Sequence, residues 1–180
     1  MNKSLQKKLE KEIRVISDFP LKGVMFQDIF SITENPKLFK DIVNELSNLC
    51  KKYKITKVAG IEARGFIFGA LAAYKSSIPF VPIRKKGKLP GKIIKKKYKL
   101  EYGTDQIEIQ KHAILNNDKV MVIDDLIATG GTAIASCKLL KSLTVKKLTF
   151  CFIIDLQNLG GSEKLKSLNN NVISIVNAVG

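Results

Sequence analysis

The 180-residue chain has the length of one domain with room for a sizeable core, and its 45% hydrophobic and 26% charged residues are those of an ordinary globular protein. Its formal net charge of +15 arises from 31 basic against 16 acidic residues. The basic residues are scattered through most segments without an aromatic-interleaved RNA motif, no apolar run approaches a membrane span, and "MNKSLQKKLEKEI" has no apolar signal core; a cytoplasmic chain with neither nucleic-acid nor membrane partners is expected.

The basic set is 28 Lys and only 3 Arg. Such an imbalance points first to a compositional bias toward Lys and second to a positive field that would draw in an anionic substrate. Residues 4–15 read as a charged amphipathic helix, and "DFPLKGVMFQDIF" as an extended segment broken by Pro20 and Gly23. Helical period returns over residues 36–52. "ITKVAGIEARGFIFGALAAYK" then reads as strand, short loop and helix, and "IPFVPIRKKGKLPG" as a strand running into a basic loop. Residues 93–109 look like a solvated excursion with "LEYGTD" at its tip. Residues 120–123 form a continuous apolar run, as in a strand buried on both faces, and "TAIASCKLLKSL" follows as a helix. "KKLTFCFIID" is a further buried strand and "NVISIV" an edge strand. The alternation predicts an α/β fold with a mostly parallel central sheet flanked by helices, in one domain. Cys50, Cys137 and Cys151 lie in apolar patterns without metal-ligand spacing and read as reduced core residues, and His112 has no partner in motif spacing.

The chemistry concentrates in "MVIDDLIATGGTA". Asp124 and Asp125 fall at the C-terminal end of a buried strand, the end outside which open α/β sheets bind ligands. Gly130 and Gly131 permit the angles that curl amides into an anion nest at a helix N-terminus, and Thr129 and Thr132 add hydroxyl donors. Adjacent carboxylates would repel a phosphate unless they face hydroxyls or a divalent cation, so a sugar phosphate with free hydroxyls suits both halves. A P-loop requires Lys where Thr132 stands, and no G-x-G-x-x-G is present. As spelled, the segment resembles the phosphoribosyl-diphosphate (PRPP) motif of type I phosphoribosyltransferases. A second strand-to-helix loop, "GIEARGF", carries Arg64, and "RKKGKLPG" brings Arg84, Lys85, Lys86 and Lys88 to the end of another strand. Alone, each reads first as a solvated segment; if the strands are adjacent, the loops converge on one crevice as a cationic pyrophosphate site.

"DFPLKGVMFQDI", "GIEARGFIFGA", "VPIRKKGKLPG", "KLEYGTDQIEIQK" and "VIDDLIATGGT" occur in this order, from about residue 13 to about residue 165, and together resemble adenine phosphoribosyltransferases. The resemblance implies transfer of ribose 5-phosphate from Mg-PRPP to N9 of adenine, giving AMP and pyrophosphate in purine salvage. It implies a small hood over residues 13–33, a lid over residues 93–109 and a homodimer in which Arg84 could serve the partner's site. Asp124 and Asp125 would bind the ribose hydroxyls, with Mg held by PRPP and water rather than by a protein ligand. Ala128, Thr129, Gly130, Gly131 and Thr132 would bind the 5-phosphate. Glu62 and Ala63, joined by a cis peptide, would with Arg64, Arg84, Lys85 and Lys88 hold pyrophosphate. Val24, Met25, Phe26 and Gln27 would clasp adenine, with Phe26 on the ring and main-chain groups at its edge. Glu101 would take the N9 proton, with Tyr102 packing beside it. The family commonly has Arg where this chain has Gln27. A phosphoribosyltransferase for hypoxanthine, guanine or xanthine is the alternative, and a non-catalytic PRPP- or nucleotide-binding regulator a further one.

Overall fold

The computed structural model describes residues 3–99 and 103–179. Its spine is a seven-stranded sheet of order β5-β6-β4-β3-β7-β8-β9. The strands are β3 (Lys57–Ile61), β4 (Phe80–Lys85), β5 (Ile93–Lys99), β6 (Thr104–Gln110), β7 (Lys119–Ile127), β8 (Lys147–Leu156) and β9 (Asn171–Ala178). β4, β3, β7, β8 and β9 are parallel, whereas β6 and β5 run antiparallel at one edge. Among the described residues the helices are α1 (Lys3–Glu12), α2 (Phe30–Thr33), α3 (Pro36–Lys52), α4 (Arg64–Ser76), α5 (Gly131–Lys141) and α6 (Gly161–Lys166). No helix is long and apolar enough to cross a membrane.

The sheet is covered on both faces, as near-continuous apolar strands require. On one face Met121, Ile123, Cys151 and Ile153 pack with Phe68 of α4 and Ile42 and Leu46 of α3. On the other, Val120, Val122, Phe150 and Phe152 pack with Cys137, Leu139 and Leu140 of α5. All three cysteines are free and buried, and burial pushes the Cys50 and Cys151 thiols up. α3 starts where "NPK" places Asn35 as N-cap, its side chain accepting from the Leu38 N–H at 3.1 Å, with Pro36 at the first helical position.

Two expectations change. The strand read over residues 120–123 continues to Ile127, because β8 runs to Leu156 and pairing persists through Asp124↔Phe152 and Leu126↔Ile154. The aspartates therefore sit within a strand and inherit its rigidity. Residues 93–109 are not a solvated excursion throughout, but a β5–β6 hairpin registered from Ile93↔Gln110 to Lys99↔Thr104. Its inner strand is buried at Gln106, Ile107, Glu108 and Ile109. Polarity obscured this, since Gln106 and Glu108 are buried as a bonded pair at 2.7 Å and Glu108 also accepts the Gly87 N–H at 3.0 Å.

The expected hood region contains a separate antiparallel pair, β1 (Arg14–Ser17) with β2 (Met25–Asp28), followed by α2. Arg14 ties it together. Its guanidinium bonds Glu34 at 2.7 Å and lies 3.6 Å from Asp28, and its main-chain N–H donates to Ser31 Oγ at 3.1 Å.

Candidate active site

β3 and β7 are hydrogen-bonded neighbours, with Gly60 opposite Ile123. The chain leaves β3 toward β4 on one side and β7 toward β8 on the other, so their C-terminal ends flank the switch point where such sheets open a crevice. There a cavity of about 260 Å³ is lined by Glu62, Ala63, Arg64, Lys85, Asp124, Asp125 and residues 128–132. Both convergent helices start at this crevice without a side-chain cap, α4 after Ala63 and α5 after Gly130. Their first-turn N–H groups and positive dipole ends are available to an anion.

Local sequence explains the shape. Gly130 takes φ +84°, a left-handed angle that starts α5 abruptly. Gly65 lets α4 rest directly on β7, since a Cβ there would come within 2.6 Å of the Ile123 carbonyl oxygen and 2.9 Å of Asp124 Oδ1. Gly161 does the same for the nest from behind: its N–H donates to the Ala128 carbonyl at 3.0 Å, and an added Cβ would overlap that oxygen. Sequence reasoning did not assign Gly161 to the site, although the Gly160-Gly161 pair at the end of a buried strand was the available signal. The Glu62–Ala63 peptide is cis.

The carboxylates are unevenly compensated. Asp125 is 3% exposed and Asp124 half-buried. Burial first, and then the charge of Asp125, hold the Asp124 carboxyl well above the usual range. Burial also raises Asp125, against the pull of Arg64. Arg64 Nε stands 2.8 Å from Asp125 Oδ2, yet that oxygen accepts no hydrogen bond among the described residues. The guanidinium also lies 5.9 Å from the centroid of Phe26, which meets Phe19 edge-on at 5.0 Å. Arg64 thus joins the crevice to the β1–β2 pair. Raised carboxyls take up protons sooner on acidification, so any reaction that uses their negative charge should show an acid limb above the ordinary aspartate range. A pH–rate profile with a flat acid side down to that range would contradict this.

Arg84 and Lys85 are already engaged. Arg84 forks onto Glu62 with two bonds of 3.1 Å and donates to the Lys88 carbonyl at 3.1 Å, while Glu62 also accepts the Lys85 N–H at 2.8 Å. Arg84 and Lys88 do not line the cavity, and Lys88 is exposed. The Arg84 fork holds the Glu62 carboxyl below its ordinary range. A depressed folded-state pKa contributes stability above the ordinary glutamate pKa of about 4.3, lost as pH falls through the folded value. Glu62→Gln should therefore flatten the acid decline of Tm, an effect of at most about 1 kcal/mol for so accessible a pair. Identical Tm–pH curves for the two proteins would count against the ion pair. Lys85 Nζ bonds Asp105 Oδ2 and the Tyr98 hydroxyl. Burial alone would lower its pKa, but those bonds raise it overall. Neither Tyr98 nor Asp105 was singled out by the sequence.

Around β2, Phe26 is half-buried and Val24 and Met25 are exposed. Val24 uses its own main chain locally, its N–H to the Leu21 carbonyl at 3.2 Å and its carbonyl to the Phe19 N–H at 3.3 Å. Gln27 is buried and directs its amide toward the Val179 carbonyl at 3.5 Å. Glu101 and Tyr102 lie outside the described residues. Among the described residues no three His, Cys, Asp or Glu side chains converge as a metal cage.

The profile of the phosphoribosyl transferase domain matches residues 29–178. An adenine phosphoribosyltransferase of Rhizobium meliloti (strain 1021) is 47% identical over 173 residues, covering 96% of each chain. The chain belongs to the adenine phosphoribosyltransferase family. Solved family members share the fold throughout. The Saccharomyces cerevisiae enzyme, crystallised with an imino-altritol bisphosphate and adenine, is 37% identical with a TM-score of 0.89, covering 97% of this chain and 99% of its own. The Trypanosoma brucei enzyme, solved with AMP, pyrophosphate and ribose 5-phosphate, is 30% identical with a TM-score of 0.87, covering 96% of this chain and 79% of its own.

Proposed function

We propose that the chain transfers ribose 5-phosphate from PRPP to N9 of adenine, releasing pyrophosphate and forming AMP. The observation carrying this reading is the β3–β7 pairing, which sets Arg64 beside Asp124, Asp125 and the nest of residues 128–132 in one crevice beneath Phe26. The nest receives the 5-phosphate through the N–H groups of Ala128, Thr129, Gly130, Gly131 and Thr132 and the threonine hydroxyls. Asp124 and Asp125 receive the ribose hydroxyls. Arg64 and Lys85, with main-chain groups of Glu62 and Ala63, hold the pyrophosphate. Arg84 and Lys88 join them on release of the Glu62 fork or by serving a partner subunit in a homodimer. Leu71 and Tyr74, exposed on successive turns of α4, suit such an interface.

In the reaction the C1–oxygen bond to pyrophosphate breaks and the C1–N9 bond forms, with positive charge on the ribosyl ring between. Buried carboxylates stabilise that charge because little water screens them, while cations stabilise the departing anion. Mg would arrive with PRPP and water near Asp124 and Asp125, where it would supply neutralisation of the diphosphate. Phe26 with Val24, Met25 and Gln27 stacks on and edges the adenine. Residues 93–109 serve as the lid, which keeps water from the ribosyl centre. Glu101 is the group assigned to accept the N9 proton. The setting is the cytoplasm.

The first test is the reverse reaction. Purified protein given Mg, AMP and pyrophosphate should yield adenine and PRPP in equal amounts, and release of free ribose 5-phosphate instead would contradict a protected centre. Arg64→Lys keeps charge but loses the planar fork, and kcat/KM for PRPP should fall on the order of 10-fold. An unchanged value in both directions would remove Arg64 from the pyrophosphate site.

A further inference from the structure

We infer that the Tyr98 hydroxyl is a positioning group coupling the 5-phosphate nest to the pyrophosphate cation Lys85, an inference resting on the roles proposed above for those two. A phenol has one proton to donate and two lone pairs to accept with. In this structure all three are used. The hydroxyl donates to Asp105 Oδ2 at 3.1 Å, and accepts from Lys85 Nζ at 3.1 Å and from Thr132 Oγ1 at 3.2 Å. Asp105 thereby directs the proton away from the crevice and turns both lone pairs toward residues that line it, Lys85 and Thr132. Asp105 also binds Lys85 directly, closing a triangle.

The placement gives this node leverage. Tyr98 and Asp105 face each other across the hairpin, one rung before the final Lys99↔Thr104 pair and the tip beyond it. Tyr98 also packs on the α5 side of the sheet, against the cluster that contains Ala133 and Cys137. One hydroxyl thus touches the nest, the cation and the root of the hairpin. A phosphate that draws the Thr132 hydroxyl proton to itself removes one bond from Tyr98, and a pyrophosphate that draws Lys85 removes another. Neither anion can bind without changing the setting met by the other, and both changes reach the hairpin root. Coupling through a shared bonded group of this kind appears as non-additivity between substitutions at its two ends.

The experiment is a set of variants read by kcat/KM for PRPP, with KM for adenine and Tm measured alongside. Tyr98→Phe keeps the ring and loses the hydroxyl; it should raise KM for PRPP while leaving KM for adenine and Tm near the parent values. Lys85→Met and Thr132→Val should together cost less than the product of their separate effects, by at least about 5-fold, when Tyr98 is present. With Phe at position 98 the same pair should be additive. Additivity in the parent background, or non-additivity that survives Tyr98→Phe, would overturn the coupling. Should Tyr98→Phe prove unstable, Asp105→Asn, which loosens the hydroxyl orientation from the far side, must shrink the non-additivity; an undiminished value overturns the inference. Failure of the underlying reading is separately visible, because Lys85→Met would then leave the affinity for inorganic pyrophosphate unchanged.

Discussion

Gly161→Ala should raise KM for PRPP on the order of 100-fold while leaving KM for adenine nearly unchanged. The added methyl would overlap the Ala128 carbonyl oxygen and come within 2.7 Å of the Gly130 nitrogen and 2.9 Å of the Thr129 carbonyl carbon. Every one of these atoms is main chain, so no side chain can swing aside. The nest must shift, and the groups that shift are the donors proposed for the 5-phosphate. Displacement by a few tenths of an ångström misaims several charge-assisted hydrogen bonds together. Gly160→Ala is the control. It has φ +69° and nothing within 4 Å of its would-be Cβ, so it should cost only about 1–2 kcal/mol of stability from the left-handed backbone and spare KM. Initial-rate measurements at varied PRPP decide it; equal KM values for parent and Gly161→Ala would dissociate the nest from phosphate binding.

Asp125→Asn should lower kcat/KM for PRPP on the order of 100- to 1000-fold with little change in fold. The amide occupies nearly the same volume at a position 3% exposed, so packing survives while the anion is lost. Two consequences then act together. The developing positive charge of the ribosyl ring loses a neighbouring carboxylate, and Arg64 loses the partner 2.8 Å from its Nε. Steady-state kinetics on protein with parent-like circular dichroism and Tm make the comparison. A loss below about 5-fold would place Asp125 outside the charge-stabilising role and restrict it to holding Arg64.

Much of the site was legible because parallel α/β sheets announce their strands as apolar runs and put their chemistry at one end. The runs ending at Ile61 and Ile123 were each followed by a loop and a helix, so the loops would converge only if the strands were neighbours, and the pairing of Gly60 with Ile123 supplies that condition. Where the chain was misread, polarity was taken for exposure. Glu108 and Gln106 satisfy one another inside the sheet edge, so a segment with a solvated composition became a buried strand. The forks were equally hidden: Arg84 and Glu62 are 22 residues apart and meet only because β3 pairs with β4. Tyr98 in "KKKYK" and Gly161 in "NLGG" carry no motif of their own. Their significance lies in what the fold places against them, Thr132 in one case and Ala128 in the other. Gln27 illustrates the complement, since its buried setting and the direction of its amide, toward Val179, needed the structure.

The most direct measurement of the central claim is a competition among bases. Purified protein is mixed with Mg, limiting PRPP and equimolar adenine, hypoxanthine, guanine and xanthine, and the nucleotides are resolved by chromatography. AMP should account for nearly all product, with one pyrophosphate released for each PRPP consumed, because a slot with buried polar edges rejects bases that leave those edges unpaired. IMP, GMP or XMP as the main product would contradict adenine as the acceptor. No nucleotide from folded protein that still binds PRPP would contradict catalysis itself.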